Sequence, residues 1–184
     1  MKLPMKIVWI IIAVLIGFAL LQLNFTSDEF KENIEEPKEA VVDKAFHTDD
    51  LSTFVAAIKT AKLEEILSSE TPITIFAPSD KAFSSLPDGK FAELMQSSNK
   101  EKLKNIVTYH VVPGRVKASD LEDGQELETI HGDKIKISLS DDKTMVNNTQ
   151  LVKADIQATN GIIHIIDRVM SPYAAKNKIA KKGQ

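Results

Sequence analysis

The 184-residue chain is predicted to be an α+β protein. Helical periodicity runs through residues 40–107 and is broken by one stretch, Thr71–Pro87, that reads as a buried strand, a sharp corner and a short helix. From Gln125 onward the apolar period shortens to two, the pattern of a strand meander. Strands and helices do not alternate regularly, so a parallel doubly wound sheet is not expected, and no internal repeat is visible. One uncharged N-terminal run precedes all of this and is predicted to be a transmembrane helix.

Composition narrows the function classes. With 43% hydrophobic and 27% charged residues the chain fits one globular domain with extensions. A net charge of −3 gives no reason to expect nucleic acid as a partner. Cysteine is absent, which excludes disulfides, thiolate metal sites, iron–sulfur clusters and cysteine nucleophiles. A module of roughly 130 residues is large enough to hold a core without such staples.

Residues 1–27 read as a signal-anchor. Ile7–Leu23 carries no charge, Lys2 and Lys6 precede it, and Asp28 and Glu29 follow it. About 20 apolar residues span a bilayer core, and the lysines place the N-terminus in the cytoplasm and the rest outside. The alternative is a cleaved signal peptide and a secreted product; Leu20–Asn24 offers no clear small-residue cleavage site. Residues 28–38 are acidic, interrupted by Pro37, and read as a solvated stalk. Residues 39–172 form the domain. Residues 173–184, with Lys176, Lys178, Lys181 and Lys182, read as a basic tail, either a frayed terminus or a contact for an anionic surface or polysaccharide.

Within the domain, Val41, Val42, Ala45 and Phe46 share one helical face. Asp49 and Asp50 offer a cap for the next helix, whose stripe is Leu51, Phe54, Val55 and Ile58. Leu63, Ile66 and Leu67 add an apolar turn. Ile73–Phe76 is a strand apolar in both phases, expected to be covered on both faces. Pro78 stops it, and Ser79 and Asp80 can cap the short helix carrying Ala82, Phe83 and Leu86. Asn99 can cap a helix with Leu103, Ile106 and Val107, and Tyr109–Val112 reads as a short strand ended by Pro113-Gly114. Ile135, Ile137 and Leu139 alternate with polar residues, with Asp141-Asp142 as the turn to a return strand at Met145-Val146. Val152, Ala154, Ile156 and Ala158 alternate likewise. Asn160-Gly161 is a hairpin dipeptide leading into the apolar strand Ile162–Ile166.

Three segments together carry a family resemblance: TIFAPSDKAFSSLP (74–87), VTYHVVPG (107–114) and ATNGIIHIIDRVMSP (158–172). Their order and spacing resemble a fasciclin-type (FAS1) domain over about residues 39–172. The resemblance implies a β-wedge or sandwich with several short helices and a role in adhesion or matrix contact; it does not imply catalysis. The motif positions are Thr74, Phe76, Ala77, Pro78, Ser79, Asp80 and Phe83 in the first segment. The second contributes Tyr109, His110, Pro113 and Gly114, and the third Asn160, Gly161, His164 and Asp167. Their expected role is mainly structural. Phe76, Phe83, Ile163 and Ile165 are expected in the core.

The remaining residues point to no enzyme chemistry. His47, His110, His131 and His164 form no close metal-binding pair, so neither a metal nor a cofactor is expected. Aligning Gly124 with the glycine of a calcium loop puts Leu121 at the third ligand position and Ile130 at the twelfth, and the motif fails. Serines near Ser79 have no adjacent base, and no glycine-rich phosphate loop is present. Asn24-Phe25-Thr26 and Asn147-Asn148-Thr149 match glycosylation sequons. Two readings stand: an adhesion module binding a cell-surface or matrix protein or polysaccharide, and a small-molecule binder for haem or a lipid. His110, set among Ile106, Val107, Val111 and Val112, is expected to be buried and to pair with the Ser79–Asp80 corner. Tyr109 is expected to bury its ring and keep its hydroxyl near a polar group.

Overall fold

A computed structural model describes residues 39–140 and 143–173. The predicted transmembrane helix, the acidic stalk, the Asp141-Asp142 turn and all of the basic tail beyond Tyr173 lie outside these residues. No helix among the described residues is long and apolar enough to cross a membrane.

The fold is α+β. Helices α1 (Val41–Phe46), α2 (Ser52–Ala61) and α3 (Glu64–Leu67) lead into strand β1 (Ile73–Pro78). Helices α4 (Asp80–Ser84), α5 (Lys90–Leu94) and α6 (Lys100–Tyr109) follow. Strands β2 (Val111–Pro113), β3 (Glu126–Glu128), β4 (Lys134–Ser140), β5 (Lys143–Val146), β6 (Thr149–Ala158) and β7 (Gly161–Ile166) complete the chain. The seven strands form one sheet in the order β2-β1-β7-β6-β5-β4-β3. Among the described residues only β1 and β7 pair in parallel, from Ile73↔Gly161 to Pro78↔Ile166. The Ile130 amide, just after β3, bonds the Val111 carbonyl of β2 at 2.8 Å. The sheet therefore curls until its two outer strands meet, which shields edges that would otherwise invite pairing with another chain.

Every residue of β1 and β7 is buried. Their side chains alternate between two apolar cores, as the period of a strand requires. Ile73, Ile75, Ala77, Ile163 and Ile165 face a core built with helices α1, α2, α3 and α6. Phe76 and Ile166 face a second core made with Tyr109, Ile135, Ile137, Val146 and Met170. The four expected core residues Phe76, Phe83, Ile163 and Ile165 are all buried.

Several local expectations are corrected. The cap of α2 comes from Asp80: its carboxylate accepts the Thr53 amide and the Ser52 hydroxyl, each at 2.7 Å. Asp50 instead adopts a φ of 69° and offers its carbonyl to the Asp80 amide. Asn99 makes no side-chain cap; its amide bonds the Glu93 carbonyl. Tyr109 is the last residue of α6, and the strand begins only at Val111. In β6 the register shifts between Leu151 and Ile156, and Asp155 takes a φ of 58°. This bulge turns Val152 out to solvent at 63% exposure, breaking the expected alternation. Ile66 and Leu139, expected on apolar faces, are likewise exposed.

The Asn160-Gly161 turn is also shifted. Ala158 pairs with Gly161, so Thr159 and Asn160 form the loop and Gly161 opens β7. Glycine serves there by its size. A Cβ at 161 would stand 2.0 Å from the Ile73 carbonyl oxygen and 2.7 Å from a methyl of Val41. Gly161→Ala should therefore push β7 off β1 and lower stability by about 2 kcal/mol or more. Phe76→Ala, which removes a ring shared by the central strand and the second core, should cost roughly 3–5 kcal/mol. Urea unfolding measures both; a loss under about 1 kcal/mol for either would mean the β1–β7 pair is not central.

Candidate functional site

The three motif segments meet at the centre of the domain and are bonded to one another. The Phe76 amide donates to the His110 carbonyl at 2.9 Å, and the Ser79 amide donates to the Ile166 carbonyl at 3.1 Å. The Thr74 hydroxyl donates to the Gly114 carbonyl and accepts the Val116 amide, fastening the loop after β2 to β1. Pro113 lies opposite Ile73, and the Gly114 amide returns to the Pro72 carbonyl with Gly114 at a φ of 93°. Ala77 and Pro78 complete the ladder to Ile165 and Ile166. The Ser79 hydroxyl caps α4 by accepting the Ala82 amide at 3.1 Å. Phe83 meets Phe91 edge to face.

His110 is fully buried, as expected, but its partners are not the Ser79–Asp80 corner. Its Nδ1 lies 2.7 Å from the Ile106 carbonyl, and its Nε2 accepts the Met170 amide at 3.0 Å. The reason is local. His110 follows the last residue of α6, and its own amide bonds Val107 in the tighter pattern of a helix terminus, leaving the Ile106 carbonyl for the ring. Asp80 is meanwhile occupied at the start of α2. Desolvation acts upward on the Asp80 carboxyl, but the hydrogen bonds from Thr53 and Ser52 together outweigh it and hold the group below its ordinary range.

One neutral tautomer satisfies His110, with Nδ1 donating and Nε2 accepting. Burial pushes its protonation from the ordinary 6.5 down to about 4, against the opposing pull of the Ile106 carbonyl. His164 takes the opposite tautomer. Its Nε2 donates to the Val116 carbonyl at 2.8 Å and its Nδ1 accepts the Asp155 amide, the residue at the β6 bulge. Its ring stacks on Phe76 with centroids 5.2 Å apart. Burial lowers its protonation range too, opposed by the Val116 carbonyl and the Asp155 charge.

Tyr109 is only 3% exposed. Its hydroxyl donates to the Lys134 carbonyl at 3.3 Å and accepts the Asn147 amide at 3.1 Å. Burial and the Asp133 charge raise its pKa, with the Asn147 bond acting the other way. Asn147 makes the tight turn between β5 and β6 at a φ of 56°, and its Oδ1 accepts the Lys136 amide. With both ends of its side chain engaged, the sequon amide at Asn147 is a structural tie. Asn160 is used similarly: Oδ1 accepts the Val41 amide that starts α1, and Nδ2 donates to Leu67 and Ser69. Asp167 and Gln150 exchange two bonds, holding the end of β7 to β6.

The motif residues thus form an internal frame, and accessible surface for a ligand lies around it. A cleft of about 500 Å³ opens over the Tyr109 hydroxyl, lined among others by Lys134, Lys136, Ser138, Asn148 and Arg168. A second, of about 890 Å³, lies between α4 and the β6 bulge, with Lys81, Val152, Lys153 and Asp167 among its lining. No histidine lines either cleft, and the Tyr109 hydroxyl at the first is already engaged by Lys134 and Asn147. Among the described residues no group of three or more His, Asp or Glu side chains is placed to hold a metal ion. Sequence reasoning missed Asn147, Lys136 and Arg168. The signal for Lys134, Lys136 and Ser138 was present as the polar phase of β4, opposite Ile135 and Ile137.

Residues 49–172 match the Fasciclin domain family, and the chain belongs to it. Protein sll1483 of Synechocystis sp. is 42% identical over 132 residues, covering 72% of this chain and 73% of its own length. The transforming growth factor-beta-induced protein ig-h3 of Sus scrofa is 35% identical over 152 residues, 83% of this chain but only 22% of that protein. The solved FAS1 domain pair of the insect cell adhesion molecule Fasciclin I shares the fold with a TM-score of 0.66 at 20% identity, over 75% of this chain and 52% of that one.

Both buried histidines make stability depend on pH. As pH falls below 6.5 the unfolded chain takes up a proton that folded His110 refuses until about pH 4. The contribution, roughly 3 kcal/mol, is therefore complete above pH 6.5 and is lost as pH falls toward 4. His164 acts with the same sign. The melting temperature should drop across this window, and His110→Gln should flatten the drop while lowering stability at pH 7 by about 1–3 kcal/mol. Equal slopes in both proteins would remove His110 as the cause.

Proposed function

We propose that the chain is a non-catalytic adhesion or binding module of the fasciclin type, held outside the cytoplasm by its N-terminal segment. The observation that carries this reading is the family match over residues 49–172. In support, the side chains of Thr74, Tyr109, His110, Asn160 and His164 are buried and bonded inside the fold, which leaves the outer surface for a partner. The solved pair with this fold comes from an insect cell adhesion molecule. Residues 1–27 would anchor the protein through Ile7–Leu23, and residues 28–38 would act as the stalk. The partner would be a cell-surface or matrix protein or a polysaccharide.

The buried Tyr109–His110 pair bears on how attachment would work. The His110 ring is not available to touch a partner, so substitution there should weaken adhesion only as far as it weakens folding. A reporter active only after export, fused behind Gln184, should be active in cells, and the fusion should sediment with membranes. An expressed fusion whose reporter stays inactive would sink the topology; activity in the medium would show cleavage and secretion. Cells displaying the chain should attach to a coated surface of their own extracellular matrix, and failure of a folded, displayed chain to do so would refute adhesion.

A further inference from the structure

We propose that the cleft over the Tyr109 hydroxyl binds a carboxylate-bearing sugar residue of an acidic polysaccharide. The inference deepens the binding-module reading and rests on it. Three cationic residues, Lys134, Lys136 and Arg168, line the cleft, and no carboxylate does. Lys134 pairs with Glu126 at 3.1 Å, and Arg168 reaches Asp167 only at 3.9 Å. Among the described residues the Lys136 ammonium has no ion-pair partner. The Ser138 hydroxyl and Asn148 amide, also in the lining, make no hydrogen bond with another described side chain or backbone group. These groups complement an anion that also carries hydroxyls.

The shape favours a sugar over a lone phosphate. A volume of about 500 Å³ exceeds what one phosphate fills and falls in the range of small-molecule sites. Lys134 and Lys136 occupy alternate positions on one face of β4, so their backbones stand roughly 7 Å apart along the strand. Charges spread in this way suit an extended chain of sugars better than a single point anion. Val169 adds an apolar wall against which the C–H face of a pyranose ring can lie. The floor is rigid: Asn147 ties the Tyr109 hydroxyl at 3.1 Å and the Lys136 amide at 2.9 Å, so the β4 backbone beneath the cations is fixed before a ligand arrives.

Calorimetry on the full chain in detergent micelles tests this with three probes: a galacturonic acid trisaccharide, a neutral glucose trisaccharide and inorganic phosphate. The uronate should bind with an affinity that falls as salt rises. Lys136→Gln combined with Arg168→Gln should weaken it by about tenfold or more without moving the melting temperature. Replacing Lys176, Lys178, Lys181 and Lys182 by glutamine should leave it unchanged. No uronate binding, equal binding of the neutral sugar, phosphate binding as tight as uronate, insensitivity to the cleft substitutions, or loss with the tail lysines would each overturn the proposal. Cell attachment that persists without uronate binding would sink this inference alone; uronate binding without attachment would sink adhesion alone.

Discussion

The parallel pairing of β1 with β7 is the contact on which the rest of the domain depends. It joins residues 73–78 to residues 161–166, more than 80 residues apart in the chain. A parallel pair cannot be closed by a tight turn; it needs a long crossover, and here the crossover is most of the domain. The two strands are buried on both faces and divide the interior into two cores. Gly161 lets them start side by side, and the Ser79 bond to Ile166 marks where they stop. Helices α1 and α2 cover one face of this pair, and the curled antiparallel strands cover the other.

Two histidines fasten the loops around that pair, and they do it as neutral groups. A neutral imidazole has one donor and one acceptor set rigidly apart, so a buried ring can join two backbone groups that cannot reach each other. His110 joins the end of α6 to the chain after β7, and His164 joins β6 to the loop after β2. Phenylalanine would fill the same space but would leave the Met170 and Asp155 amides without these partners. Burial and tautomer reinforce one another here, since the same desolvation that keeps the rings neutral keeps one nitrogen of each free to accept.

What the sequence shows clearly is periodic. The stripe of α2, the two apolar phases of β1 and the dense run of β7 each repeat with their element's own spacing, so burial follows from local pattern. The three motif segments likewise announce the family. What it hides is set by contacts across the fold. Asp80 caps α2 because β1 delivers it there, and nothing near Ser52 in sequence announces that partner. The β6 bulge puts Val152 outside and Asp155 against His164, yet the run from Val152 to Ala158 still reads as regular alternation. Asn147 reads as a sequon and proves to be a tie, because only the folded hairpin brings it beneath Tyr109. The cleft was half legible: the lysines of β4 stand in the polar phase, while Arg168 reaches them only through the end of β7.

The position of β7 at the far end of the domain has a consequence for how the protein is made. Synthesis delivers β1 long before the strand that completes it. Until residues 161–166 emerge, β1 can pair only with β2, and one row of its amides and carbonyls stays open beside an apolar face. A chain that leaves the ribosome N-terminus first therefore reaches its last strand before its first core strand is closed on both sides. Long-range pairing of this kind is slow, since the loop must be ordered before the contact rewards it. The central strand pair of the domain can therefore close only after residues 161–166 have been made.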